Sequence, residues 1–268
     1  MNVVVIGDGS IGTRHSNNLF RMKHSVSMID SDPSITSPAM LSAYLHKQDA
    51  AVICVPTDQH LSVLRHCLSA GVPAYIEKPL GKFEEIDAWK ALAEDAHLPL
   101  TMVGYQLRFH KRVQHIKSYN WTQDTQPTLT GNLRCWCDMS KWKGKSAIGN
   151  FLAEMSHEID LAMYLGAGAL TSWKCDMDKR YAMMLFGRRW SVELAGSAKT
   201  YQRLWEVRDE YSSTSFEHND PASLGNDMYI DAMRHFLDAV AEQRPITQGC
   251  TLSEAIEVMD VIRKVSGS

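Results

Sequence analysis

The sequence predicts a doubly wound parallel α/β domain over residues 1–118, followed over residues 119–268 by an α+β domain with a mostly antiparallel open sheet. Three observations predict this. Apolar, β-branched runs alternate with helical patterns through the first hundred residues, as βαβ units require. A glycine-rich turn follows the first of those runs. Beyond about Tyr119, strand-like runs succeed one another with few helices between them, which suits an antiparallel sheet carrying helices on one face.

The elements follow in order. Residues 3–6 are a β-branched apolar run, 11–22 a helix and 25–29 a second strand. A polar stretch holding Pro33 and Pro38 leads to a short helix at 39–47. Residues 50–55 are continuously apolar, as a strand buried on both faces should be. A helix at 61–70 is stopped by Gly71 and Pro73. A strand at 74–76, a helix at 83–96 and a strand at 100–103 complete the first domain. Residues 120–130 are polar and read as a connection, after which strands are expected at 131–139, 170–176, 181–186, 190–194 and 201–207. Helices are expected at 151–165, 227–242 and 253–265.

Composition excludes several classes of function. The 268 residues carry 28 Lys and Arg against 31 Asp and Glu, and a net charge of −3 offers no basic surplus for nucleic acid. No run of 18 apolar residues is present, so no membrane span is expected. Met1 and Asn2 lead straight into the first strand, with neither a basic nor an apolar leader, so a secretory signal is not expected. The six cysteines form no CxxC, and Cys135 and Cys137 read as two small hydrophobes on one face of a strand. The expectation is a reduced, soluble, cytoplasmic protein acting on a small molecule, with no metal, nucleic acid or membrane.

The first chemical motif is Gly7-Asp8-Gly9-Ser10-Ile11-Gly12, between a strand and a helix. Gly7 makes the tight turn, Gly9 lets the backbone approach a pyrophosphate, and Gly12 permits close helix–strand packing. The amides of Ser10 and Ile11 open the helix, where an anion is favoured. Asp30 stands at the end of the second strand, 23 residues after Gly7, placed to accept bonds from an adenosine ribose. With Ser31 next to it rather than an arginine, NAD is favoured over NADP. This is the Rossmann pattern for a dinucleotide.

Further candidates lie at strand ends. Pro56, Thr57 and His60 follow the buried strand at 50–55, at the edge where open α/β sheets bind ligands. A proline stop with a threonine cap is the plainer reading, and the two are compatible. Glu77, Lys78 and Pro79 follow the next strand, and Lys78 there could polarise a carbonyl or hold a hydroxyl. Standing alone it would be a surface turn. In the second domain Glu154, His157 and Asp160 are spaced by three, so on one helix they would share a face. A histidine between carboxylates suits a general base, whereas solvated charge pairs are the plainer account.

The GxGxxG start, the Pro56-Thr57 and His60 set, and Glu77-Lys78-Pro79 recur together in the Gfo/Idh/MocA family of nicotinamide-dependent oxidoreductases, which this chain resembles along nearly its whole length. Residues 104–110, 154–161 and 226–237 resemble further family segments. The resemblance implies NAD bound by Gly7, Gly9, Ser10, Ile11, Gly12, Asp30, Ser31, Pro56, Thr57, His60, Glu77 and Lys78. It also implies that His157 and Lys78 meet, with Glu154 or Asp160 orienting His157. Tyr105, Gln106 and Arg108 would line the substrate pocket, with Trp142 as an aromatic face for a sugar. The implied reaction is hydride transfer at a carbinol or carbonyl carbon of a sugar, sugar acid or nucleotide-linked sugar, in a homodimer or homotetramer. A non-catalytic NAD-binding regulator and a redox-neutral NAD-dependent glycoside hydrolase are the alternatives within the fold. The segment 31–49 is short for the family's usual helix–strand–helix.

Overall fold

The computed structural model describes residues 1–29, 38–95, 97–118, 130–138, 151–187, 189–208, 213–218 and 225–267. They divide into two compact units, the first taking in Met1–Phe109 and Asp227–Glu257. The second draws on His110–Lys145, Gly149–Asn226 and Val258–Ser268 where these are described.

In the first unit β1 (Asn2–Ile6), α1 (Ser10–Arg21), β2 (Ser25–Ile29), α2 (Pro38–Leu45), β3 (Ala50–Ile53), α3 (His60–Ser69), β4 (Ala74–Ile76), α4 (Ile86–Ala93) and β5 (Thr101–Val103) alternate. The strands order β5-β4-β3-β1-β2 and are all parallel. Val3 to Ile6 and Ala50 to Ile53 have essentially no exposed surface, which is why both runs are apolar throughout. The order reverses at β1, so the crevice at its carboxyl end is the switch point where such sheets take ligands. Among the described residues β2 forms one edge of this sheet.

The C-terminal part of the chain completes this unit. After α5 (Lys111–Ser118), β6 (Thr130–Asp138), α6 (Phe151–Glu154), α7 (His157–Tyr164), β7 (Leu170–Asp176), β8 (Tyr181–Phe186), β9 (Trp190–Ala195), β10 (Ser197–Arg208) and β11 (Ser213–His218), the chain forms α8 (Asp227–Glu242), β12 (Cys250–Thr251) and α9 (Leu252–Ser266). β12 pairs antiparallel with β5, Cys250 opposite Val103. α8 packs on α1 and on the turn Gln106–Phe109. Aromatic edges seat it: Phe236 lies 5.9 Å from Tyr75, and Tyr229 lies 6.0 Å from His15.

The second unit holds a six-stranded sheet in the order β11-β10-β6-β9-β8-β7. All its pairs are antiparallel except β6 with β9. α7 packs on β6 and β9. Leu133, Cys135, Cys137, Val192, Leu194, Ala182 and Met184 are buried on alternate positions, the period-two pattern of a half-covered sheet. Cys135 and Cys137 thus occupy the apolar positions expected of them. The alternate positions on the other side carry Arg134, bonded to Glu193 at 2.8 Å, and Asn132, bonded to Glu206 at 3.3 Å.

Two corrections apply to the expected elements. The helix expected at 151–165 is broken at Met155 and Ser156 into α6 and α7. Strands β11 and β12 were not expected: β11 is polar apart from Phe216, and β12 is two residues long, so neither shows a periodic signal. Among the described residues, no helix is long and apolar enough to cross a membrane.

Candidate active site

The glycine-rich turn is built as its sequence requires. Gly7 has φ +106°, and a Cβ on it would sit 2.6 Å from the Cys54 carbonyl oxygen. A Cβ on Gly12 would fall 2.0 Å from the Gly7 carbonyl oxygen, so α1 could not approach β1 with any larger residue. Gly9 differs, since a Cβ there would meet nothing within 4 Å. Gly9 also caps α1 without a side-chain hydrogen bond, and the first turn carries no acidic residue. Open space, helix-terminal amides and the positive end of the helix dipole therefore coincide, which is what a pyrophosphate needs. Gly9 and Ser10 are exposed and Ile11 half-buried. The Gly7 amide donates to the Ile29 carbonyl at 2.8 Å, bringing the end of β2 to the turn. Asp30 and Ser31 lie outside the described residues, as does Trp142.

Pro56, Thr57, His60, Glu77 and Lys78 collect at the carboxyl ends of β3 and β4, on the same edge of the sheet as the turn. Pro56 is exposed and Thr57 and Lys78 half-buried. His60 is buried, with Nδ1 3.1 Å from the Leu80 carbonyl and Nε2 3.0 Å from the Val55 carbonyl, so both ring nitrogens face the backbone of the two loops it joins. Burial pulls its pKa below the ordinary histidine value, although both carbonyls and Glu77 work against this. Glu77 is buried, its Oε1 2.7 Å from His15 Nε2 and its Oε2 accepting from the Lys78 amide at 3.2 Å.

The residues after β5 are buried too. Tyr105 is 1 % exposed, Gln106 4 % and Arg108 1 %, so they are part of the packed body of the first unit. The Arg108 guanidinium donates to the Gly249 carbonyl at 3.1 Å and to Glu254 Oε1 at 3.0 Å, tying the turn after β5 to the C-terminal segment. For Glu254, burial alone would raise the carboxyl, but Arg108 and the Thr251 amide and hydroxyl outweigh it and hold it below its ordinary value. The indicated roles of Tyr105 and Gln106 toward substrate rest on the resemblance.

In the second unit Glu154 closes α6, and His157 opens α7 after the break. The shared face expected for all three spaced residues therefore holds within one helix only for His157 and Asp160. His157 is 7 % exposed, Asp160 is fully buried, and the Asp160 amide donates to the Ser156 carbonyl at 3.0 Å. The residue beside His157 supplies the anchor that sequence reading missed. Glu158, fully buried, meets Arg203 Nε of β10 at 2.6 Å, and the Trp205 indole N–H lies 3.5 Å from the same oxygen. Burial pushes the Glu158 carboxyl up, and the Arg203 guanidinium opposes that push. The available signal was a lone Arg within a strand-like run, directly before Leu204 and Trp205. His15 was likewise readable as a polar residue three beyond Gly12, on the helix face that packs on the sheet. Among the described residues, no group of three His, Cys, Asp or Glu side chains could hold a metal ion.

The comparisons agree with this architecture. Residues 1–105 match the model of the Gfo/Idh/MocA oxidoreductase family, NAD-binding Rossmann fold. The chain is 26 % identical to a UDP-N-acetylglucosamine 3-dehydrogenase of Acidithiobacillus ferrooxidans, over 92 % of this chain and 90 % of that protein. A solved structure of the enzyme of that name from the same organism superposes with a TM-score of 0.78 at 20 % identity, covering 100 % of this chain and 97 % of the other. The WlbA dehydrogenase of Thermus thermophilus, solved with NAD and UDP-GlcNAcA, gives a TM-score of 0.73 at 21 % identity, with 98 % and 93 % covered. Over residues 1–105 the chain is thus similar to the NAD-binding Rossmann domain of the Gfo/Idh/MocA oxidoreductases.

Proposed function

We propose that this NAD-dependent oxidoreductase interconverts a carbinol and a carbonyl on a sugar, the first choice being a nucleotide-linked sugar, ahead of a free sugar or a sugar acid. The observation that carries the reading is the sheet edge where Gly9 faces open space at the uncapped start of α1, with Lys78 on the same edge. The nucleotide-linked class is supported by the likeness to a UDP-N-acetylglucosamine dehydrogenase along most of both chains.

When bound, NAD supplies the acceptor or donor of the hydride. Gly7, Gly9, Ser10, Ile11 and Gly12 would hold its pyrophosphate, Pro56 and Thr57 the neighbouring ribose, and Asp30 with Ser31 the adenosine ribose. Lys78 holds the reacting oxygen and stabilises negative charge on it. In the oxidising direction the C–H bond leaves with its electron pair, the hydroxyl proton passes to a ring nitrogen of His157, and the C=O bond forms. In reduction His157 returns the proton. Asp160, on the same helix as His157, orients the imidazole, with Glu154 as the second carboxylate of the site.

The first experiment titrates NADH and NADPH into the protein by fluorescence, then screens UDP-sugars and free sugars for a change in NADH absorbance. Tight NADH with weak NADPH binding, and turnover on a UDP-sugar, are expected. Binding of neither cofactor would overturn the reading.

A further inference from the structure

Lys78 sits on a segment anchored from outside itself, and the anchor begins on the glycine-rich helix. The preceding residue, Glu77, divides its carboxylate between two groups: Oε1 lies 2.7 Å from His15 Nε2, and Oε2 accepts from the backbone N–H of Lys78 at 3.2 Å. A carboxylate only accepts, so the hydrogen in the shorter contact is on His15 Nε2. His15 has no exposed surface and Glu77 6 %, so water does not compete for either bond. The carboxylate is also confined sterically, since a Cβ on Gly104 would stand 3.2 Å from it and 3.1 Å from the Tyr75 hydroxyl. On the far side of Lys78, His60 Nδ1 meets the Leu80 carbonyl at 3.1 Å. The segment 77–80 is thereby tied to α1 through Glu77 and to α3 through Leu80.

A buried polar pair can exist only to satisfy a helix against a sheet. Here, however, the second carboxylate oxygen goes to the backbone that carries Lys78. We propose that His15 is a positioning residue for Lys78, acting through Glu77, and that it couples the helix at the cofactor turn to the placement of that lysine. The proposal rests on the reading of Lys78 as the residue that holds the reacting oxygen. Its consequence is a separation of effects: losing the His15 bond loosens the Lys78 backbone and lowers turnover, while the amides at the start of α1 still bind cofactor.

The test uses the full chain with His15→Ala, His15→Gln and Glu77→Gln. Glutamine keeps an N–H donor near the place of Nε2, and alanine does not. Amide hydrogen exchange at Lys78 is expected to speed up at least about tenfold in His15→Ala and to return toward the original rate in His15→Gln. On a confirmed substrate, kcat should fall roughly tenfold to a hundredfold in His15→Ala with the NADH Kd unchanged, and recover in His15→Gln. Unchanged Lys78 exchange in folded His15→Ala would overturn the proposal. So would a parallel loss of NADH binding and turnover that glutamine does not repair. Should His15→Ala not fold, Glu77→Gln decides, because its amide nitrogen cannot accept and one of the two bonds is lost. If the unaltered protein turns over no substrate, the activity reading falls, and Lys78 exchange alone decides the anchoring.

Discussion

The guanidinium of Arg203 on β10 meets the carboxylate of Glu158 on α7 at 2.6 Å, with Glu158 wholly and Arg203 almost wholly out of solvent. Arg203 also lies 3.6 Å from the Cys135 sulfur, and the Trp205 indole shares the same carboxylate oxygen. A helix that begins at His157 is thus fixed to the sheet by its second residue. Removing one partner leaves a buried charge without its counterpart, which costs about 3–5 kcal/mol. Glu158→Gln and Arg203→Ala are each expected to lower the urea midpoint accordingly. Replacing both with apolar residues of similar volume should restore most of the loss. A single variant that unfolds at the original midpoint would refute the assignment.

The glycines of the turn should separate by function. Gly12→Ala places a Cβ 2.0 Å from the Gly7 carbonyl, so it should lower the melting temperature and abolish NADH binding together. Gly9→Ala meets nothing within 4 Å and its φ of −63° suits alanine, so the melting temperature should hold. NADH affinity should nevertheless fall by about tenfold or more, because the new methyl fills the space a pyrophosphate would use. Thermal melts beside fluorescence titrations check both.

Lys78→Ala and His157→Ala should each cost about a hundredfold or more in kcat. NADH binding should survive in both, because the glycine-rich turn is intact. Steady-state kinetics with a cofactor titration on the same preparations measures the split, and undiminished turnover in either variant would remove that residue from the mechanism.

Acid should act through Glu254. Its carboxyl is held below the ordinary value of 4.5 in the folded chain, burial being outweighed by Arg108 and Thr251. A lowered folded value means the unfolded chain binds the proton more readily. The stabilisation is therefore complete above about pH 4.5 and is lost as pH falls through the lower folded value. Glu254→Gln is expected to flatten the acid limb of stability against pH while leaving its slope near neutrality unchanged, read as urea midpoints at a series of pH values.

The parallel sheet was legible in the sequence because its strands are apolar without interruption, as at Ala50 to Ile53, and because Gly7, Gly9 and Gly12 each answer to a different steric demand. The break between Glu154 and His157 was not legible, since Met155 and Ser156 are acceptable helix residues and the periodicity runs on across them. Nor was the burial of Arg108, whose partners Gly249 and Glu254 stand more than 140 residues away in the chain. Spacing reveals what shares an element. It is silent on what two distant elements bring together, and the His15–Glu77 contact belongs to that second kind.

The pairing of Cys250 with Val103 makes the first sheet depend on a strand far along the chain. The outer strand of the first sheet and the helix that seats on α1 come from residues 227–257, after the strands of the second sheet. A chain cut after residue 118 would keep the glycine-rich turn and the Lys78 segment and yet expose the edge of β5 and the flank of Tyr75. The cofactor-binding unit is closed by a segment distant from it in sequence, so residues 1–118 alone would present an unpaired strand edge of the kind that invites aggregation.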